Sequence, residues 1–175
     1  MDPAETLEAG PVTLLRWDPV WVEQLDTAIR ASMPQLRRFM PWATDEHGLA
    51  QTREFVERSV AEWESGWTWN YAIFAPHGEL VGSCGLMDRM GPDVLEIGYW
   101  VDSAHTGRGY ASAAAAALAV AGLGVQGIAR VAIKHDVGNP ASGRVAANAG
   151  FTQVGQVEPE RPGRGGVVLL WERLG

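Results

Sequence analysis

The sequence has one cysteine, Cys84, in 175 residues. That excludes an internal disulfide and any cysteine-rich zinc site, and it fits a reducing compartment. It also lacks a membrane-length apolar run, since the longest, Ala111–Val125, is too short and alanine-rich to span a bilayer. The opening "MDPAETLEAG" has no basic-then-apolar signal order. These absences predict a cytoplasmic protein without membrane association. Positive charge is scarce: fourteen Lys and Arg against twenty-one Asp and Glu give a net charge of −7, which repels nucleic acid and favours cationic partners. No G-x-x-x-x-G-K-[ST] loop occurs, and "GRGYAS" lacks the third glycine of G-x-G-x-x-G. No metal site is expected.

What is present suits one α/β domain over residues 1–175, with 46% hydrophobic and 20% charged residues. "VTLLRW" (Val12–Trp17) reads as a strand, followed by a helix begun by Asp18 with Pro19 at its first position. "MPQLRRFMPWATDEHG" carries two prolines and reads as a short helix or ordered loop. A long helix is expected over about 48–64, with Phe55, Val56, Val60 and Trp63 at helical spacing and Gly66 past its end.

Strand patterns then run over Trp67–Pro76, Leu80–Arg89 and Val94–Val101, and their turns predict an antiparallel meander. An alanine-rich helix (about 109–121), a strand (Ala129–Val137), a helix capped by Asn139 with Pro140 next, and two strands, "FTQVGQVE" and "GVVLLWERL", complete the chain. The one expected crossover between parallel strands joins Val94–Val101 to Ala129–Val137, which places a ligand crevice at the carboxyl end of the first.

"HTGRGYASAAAAA" begins at that end. The first N–H groups of a helix have no intrahelical acceptor, and the helix dipole adds partial positive charge there. Gly107 and Gly109 let an anion approach the main chain, and Arg108 adds charge. Local chemistry leaves two readings open, a phosphate site or a plain turn.

"EIGYWVDSAHTGRGYASAA" (Glu96–Ala114), followed by "NPASGRVAANAGF" (Asn139–Phe151), resembles the GNAT superfamily of acetyl-coenzyme A-dependent N-acetyltransferases, and within it the ribosomal-protein N-terminal acetyltransferase-like group. "MPWA" (Met40–Ala43), "YAIF" (Tyr71–Phe74) and "ELVGSCGL" (Glu79–Leu86) extend the likeness. The resemblance implies an α/β (α+β) fold, a mostly antiparallel sheet of about seven strands with about four helices. It implies acetyl-CoA as cofactor, with pyrophosphate on Thr106, Gly107, Arg108, Gly109, Tyr110, Ala111 and Ser112. The pantetheine arm would lie along the strand Ile97–Val101, including Tyr99, Trp100 and Val101, as an added strand. The superfamily pattern Q/R-x-x-G-x-G/A falls on Thr106, Gly109 and Ala111, so Thr106 departs from it.

Amide formation needs an uncharged amine and a way to protonate the departing thiolate. A peptide α-amine with pKa of about 8 costs about 1 kcal/mol to deprotonate at pH 7, whereas a lysine at about 10.4 costs 4–5. Glu96 is the candidate base, acting directly or through water by attack in a ternary complex, with a solvated or salt-bridged carboxylate as the other reading. His105 and His135 are alternative relays. Many superfamily members place a tyrosine where this chain has Ala146; the ribosomal-protein-like group has a serine, here Ser142, as the hydrogen bond donor to the thiol. Asn139 and Ser142 are expected to contact the cofactor, or else to cap their helix.

Of eight tryptophans, Trp42, Trp63, Trp67, Trp69 and Trp100 lie where an acceptor site is expected. Trp42 is the candidate pocket residue beside Asp45 and Glu46. The expected acceptor is a protein or peptide N-terminal amine. Small-molecule amine acetylation and a noncatalytic acyl-CoA-binding module are the alternatives, and a homodimer is possible.

Overall fold

The computed structural model describes residues 1–159 and 166–175. Among these residues eight strands form one sheet: β1 (Thr6–Ala9), β2 (Val12–Arg16), β3 (Thr68–Phe74), β4 (Leu80–Met87), β5 (Val94–Val101), β6 (Arg130–Asp136), β7 (Thr152–Val157) and β8 (Val168–Leu174). Four α-helices accompany them: α1 (Val22–Leu36), α2 (Leu49–Ser65), α3 (Tyr110–Leu123) and α4 (Pro140–Asn148). The strand order is β1-β2-β3-β4-β5-β6-β8-β7. Among the described residues only β5 and β6 pair in parallel, through the α3 crossover. The expected meander and crossover are present. β1 is the strand beyond the expected seven; its four residues pair with β2, bringing Leu7 opposite Leu14.

Asp18 starts the first helical segment as expected, its carboxylate accepting the Val20 N–H at 2.9 Å. The helix nevertheless runs through Pro34 to Leu36. Pro34 falls in the last turn, and burial of Ser32 and Leu36 holds that turn helical. Residues 37–48 form the loop to α2, and Gly66 ends α2 in the left-handed conformation.

The strands bury both faces. Trp69, Tyr71 and Ile73 of β3, with Leu95, Ile97 and Val101 of β5, pack in the core that includes Ala114, Ala115, Leu118 and Ala119 of α3. Ala72, on the opposite face of β3, joins Leu25, Ile29 and Val56 of α1 and α2, with Trp100 packed against them. Alanine and Gly122 let α3 lie close to the sheet: a Cβ on Gly122 would come within 2.8 Å of Val131 Cγ1.

Candidate active site

β5 exchanges neighbours partway along its length. Val94, Leu95 and Glu96 pair with Arg130, Val131 and Ala132 of β6, whereas Glu96 through Val101 pair with Met87 through Gly82 of β4. Beyond Glu96 and Ala132, β5 and β6 no longer ladder with each other, though β5 continues to Val101 and β6 to Asp136. The β6-facing main chain of Ile97–Val101 is therefore a strand edge inside the sheet, able to receive an extended ligand.

A hydroxyl pair spans this opening. Tyr99 Oη lies 2.7 Å from Ser142 Oγ, a bond in which either hydroxyl can donate, and 3.2 Å from the Ser142 carbonyl. Burial pushes the Tyr99 hydroxyl up to about 12, and the Ser142 bond partly offsets that rise. Ser142 is fixed by the start of α4, where Asn139 Oδ1 accepts its N–H at 3.4 Å and Pro140 takes the first helical position. Asn139 thus fills the capping role that its sequence position allows.

The glycine turn stands at the carboxyl end of β5. Gly107 and Gly109 have φ of +75° and +77°, and a Cβ built on either meets nothing within 4 Å. The main chain there takes a left-handed form and faces open space, as close approach by an anion requires. Gly109 caps α3 without any side-chain bond, leaving the first N–H groups without a side-chain acceptor. Thr106 Oγ1 and Arg108 Nη2 bond back to the carbonyls of Ser103 and Ala104 at 3.3 Å each. Tyr110 is buried and its ring packs inward, so its available group at the turn is its N–H; Ala111 and Ser112 continue the first helical turn.

On the other sheet face, Glu96 is only 4% exposed. Arg89 Nε donates to its Oε2 at 2.6 Å and Arg89 Nη2 to its Oε1 at 2.8 Å; Lys134 Nζ is 3.4 Å from Oε2. Of the two readings offered by sequence, the contacts seen are those of a salt-bridged carboxylate. Its partners were missed because Arg89 lies just past Met87 and Lys134 just past Ala132, the two ladder partners of Glu96, and register is invisible in a single sequence.

Trp42 and Trp100 come together with ring centroids 6.2 Å apart, and His47 joins them at 5.1 Å from Trp42. Trp42 is 37% exposed, while Trp63 and Trp69 are core residues and Trp67 is an exposed one away from this cluster's ring contacts. Asp45 pairs with Arg37. His47 Nε2 meets Thr52 Oγ1 at 3.0 Å, and burial lowers the imidazole pKa against the pull of Asp26.

His135 has no spare nitrogen for a relay: Nε2 accepts from Trp171 Nε1 at 2.9 Å and Nδ1 donates to the Asp136 carbonyl at 2.8 Å. Among the described residues no cluster of three or more His, Cys, Asp or Glu is placed to hold a metal ion, and no helix is long and apolar enough to cross a membrane.

A family model described as an acetyltransferase (GNAT) domain matches residues 13–152. The chain belongs to the GNAT acetyltransferase family. A ribosomal-protein-serine acetyltransferase of Escherichia coli is 32% identical over 118 residues, 66% of this chain and 65% of that protein. An uncharacterized protein of Bacillus subtilis, YkkB, is 39% identical over 76 residues, 42% of this chain and 44% of that one. The chain thus matches just under two thirds of the first relative's length and less than half of the second's. A solved ribosomal alpha-N-protein acetyltransferase, RimL, in complex with coenzyme A has a TM-score of 0.87 at 24% identity, over 97% of this chain and 98% of that one. The microcin self-immunity acetyltransferase MccE, in complex with acetyl-CoA and AMP, has a TM-score of 0.85 at 20% identity, over 94% and 93%. At these identities the likeness establishes the fold.

Proposed function

We propose that this protein is an acetyl-CoA-dependent N-acetyltransferase acting, as one domain, on a protein or peptide N-terminal amine. The observation that carries this reading is the unpaired β5 edge, with an open glycine turn at its end and the Tyr99–Ser142 pair across it. Edge, turn and hydroxyl pair match in kind an extended amide-bearing arm, a pyrophosphate and a thioester sulfur.

Bound acetyl-CoA supplies the acetyl group as a thioester. Main-chain groups of Ile97–Val101, including Tyr99, Trp100 and Val101, receive the arm. N–H groups from Thr106 through Ser112 hold the phosphates, and Asn139 borders the same opening. Ser142, accepting the Tyr99 hydroxyl hydrogen, directs its own at the sulfur. The acceptor amine attacks directly with both substrates bound: a C–N bond forms, the C–S bond breaks, the amine loses a proton and the thiolate gains one.

Glu96 is the proposed proton acceptor, through water. Its Oε1 accepts from Arg89 Nη2 and keeps a second lone pair, and an α-amine needs little help to deprotonate. Trp42, against Trp100, walls the acceptor side. The 32%-identical ribosomal-protein-serine acetyltransferase supports a protein N-terminus as acceptor. β7 ends the sheet and is exposed along most of its length, which makes it the proposed homodimer edge.

The test is calorimetric titration with acetyl-CoA, coenzyme A and ATP, followed by turnover on peptides with free N-termini and on small amines. Micromolar binding of both coenzyme A species without ATP binding, and peptide acetylation, is expected. Absence of coenzyme A binding overturns the reading.

A further inference from the structure

The glycine turn is exposed from Thr106 to Gly109, and beside the weak bonds that Thr106 and Arg108 make back to the carbonyls of Ser103 and Ala104 it can be held to the rest of the fold only from behind. His105 occupies that place. Its side chain is 11% exposed, with Nδ1 2.6 Å from Asp102 Oδ1 and Nε2 3.1 Å from Glu79 Oε2. Its ring lies nearly parallel to that of Tyr110, the first residue of α3, at 22° and a centroid distance of 6.4 Å. One side chain therefore joins the β3–β4 turn, the end of β5 and the start of α3. With both nitrogens engaged, the ring has no free position from which to relay a proton.

We propose that His105 is a positioning residue for the phosphate turn, fastening its main chain and separating the two carboxylates behind it. The proposal rests on the reading of Thr106–Ser112 as the coenzyme A phosphate site. Three contacts tie the same segment to neighbouring elements: Asp102 N–H donates to the Val81 carbonyl at 2.7 Å, Ser103 N–H to Ser32 Oγ at 3.0 Å, and Ser103 Oγ to Gln35 Oε1 at 2.9 Å. None of the three engages the ring-bearing residue or the turn beyond it. An anion site gains affinity when its donors are held before the ligand arrives, because less ordering entropy is lost on binding. Glu79 and Asp102 left without His105 would also lose the ring's N–H donor and keep their negative charge behind a phosphate site.

The experiment is titration of wild type, His105→Ala, and His105→Ala combined with Glu79→Gln, with coenzyme A, alongside steady-state kinetics. His105→Ala is expected to weaken coenzyme A binding about tenfold, equivalent to about 1.4 kcal/mol. KM for acetyl-CoA should rise in proportion, with KM for the acceptor and kcat at saturation changing less than twofold. Adding Glu79→Gln should recover part of the affinity, because it removes one exposed carboxylate; a residue serving stability alone would give no such recovery.

Unchanged coenzyme A affinity in a folded His105→Ala protein overturns the proposal, as does a loss borne by kcat alone or one that Glu79→Gln leaves untouched. Should His105→Ala fail to fold, His105→Gln carries the test, since its amide keeps one donor: an affinity between wild type and a fewfold loss with normal acceptor KM supports the role, and wild-type affinity overturns it. If wild type itself binds no coenzyme A, the phosphate reading falls and the proposal with it; binding by wild type separates the two failures.

Discussion

The segments of β5 on either side of Glu96 share one backbone geometry and differ in what they are hydrogen-bonded to. Val94 and Leu95 ladder with β6, Ile97 through Val101 with β4, and Glu96 alone has ladder partners on both sides. The earlier segment is ordinary sheet interior. The later segment keeps its strand form while one edge lies open, and every candidate cofactor contact, from Tyr99 to the glycine turn and across to Ser142, gathers on that side. The proposed binding site is made by withholding a neighbour rather than by adding a pocket.

The Glu96 ion pairs sit where the exchange occurs. Arg89 follows β4, Glu96 belongs to β5 and Lys134 to β6, so one carboxylate draws together the three strands at the point where they part. The two segments of β5 can then be challenged separately, beginning with the open one.

Gly109→Trp should have the largest effect. It forces a bulky side chain into a left-handed position at the phosphate turn, and titration should show coenzyme A affinity falling by about a hundredfold or more. Retained affinity would mean that the glycines merely shape a turn.

Glu96→Ala addresses the junction. Removing one partner of a buried ion pair costs about 3 kcal/mol, less where the other partner is half-exposed as Arg89 is, so denaturant unfolding should show a loss of about 2 kcal/mol. Glu96→Gln should restore much of that stability while turnover stays low. Normal turnover in Glu96→Gln would confine the residue to holding strands.

Ser142→Ala should lower kcat by about tenfold, a modest figure because a thiol with pKa of about 8.5 departs readily. Full turnover would remove Ser142 from the mechanism. Trp42→Ala sharpens the contrast between faces: acceptor KM should rise about fivefold with coenzyme A affinity unchanged, since Trp42 touches Trp100 on the face away from Tyr99.

The smallest effect is alkaline. Unfolded tyrosine ionises near 10, and Tyr99 in the fold near 12, so the folded state holds this proton more tightly. The associated stability is complete below pH 10 and is lost as pH rises to about 12. Thermal unfolding of Tyr99→Phe across that range should show a shallower decline than wild type.

Much of this was legible in the sequence because the signals are local. Alternating apolar residues marked the meander, Asp18 and Asn139 marked helix starts, and two glycines before an alanine-rich helix marked the turn. β1 escaped because four residues with one buried side chain, Ala9, carry little periodicity. The helix through Pro34 escaped because tertiary burial overrode a local breaker. The unread parts of the site share one cause: Arg89 with Glu96, Tyr99 with Ser142, and His105 between Asp102 and Glu79 all depend on register or on contacts between separate elements, where spacing along the chain says little about distance.

β8 lies between β6 and β7 although it follows both in the chain. During synthesis β7 emerges with no strand to lie against, and its hydrogen-bonding groups wait until Val168–Leu174 slides into the gap beside Arg130–Asp136. The sheet is thus closed from the inside by its last-made piece, a long-range pairing of the kind that folds slowly. Loss of that short segment would strip β7 of its ladder and expose the flank of β6 at once, turning a small deletion into an aggregation hazard.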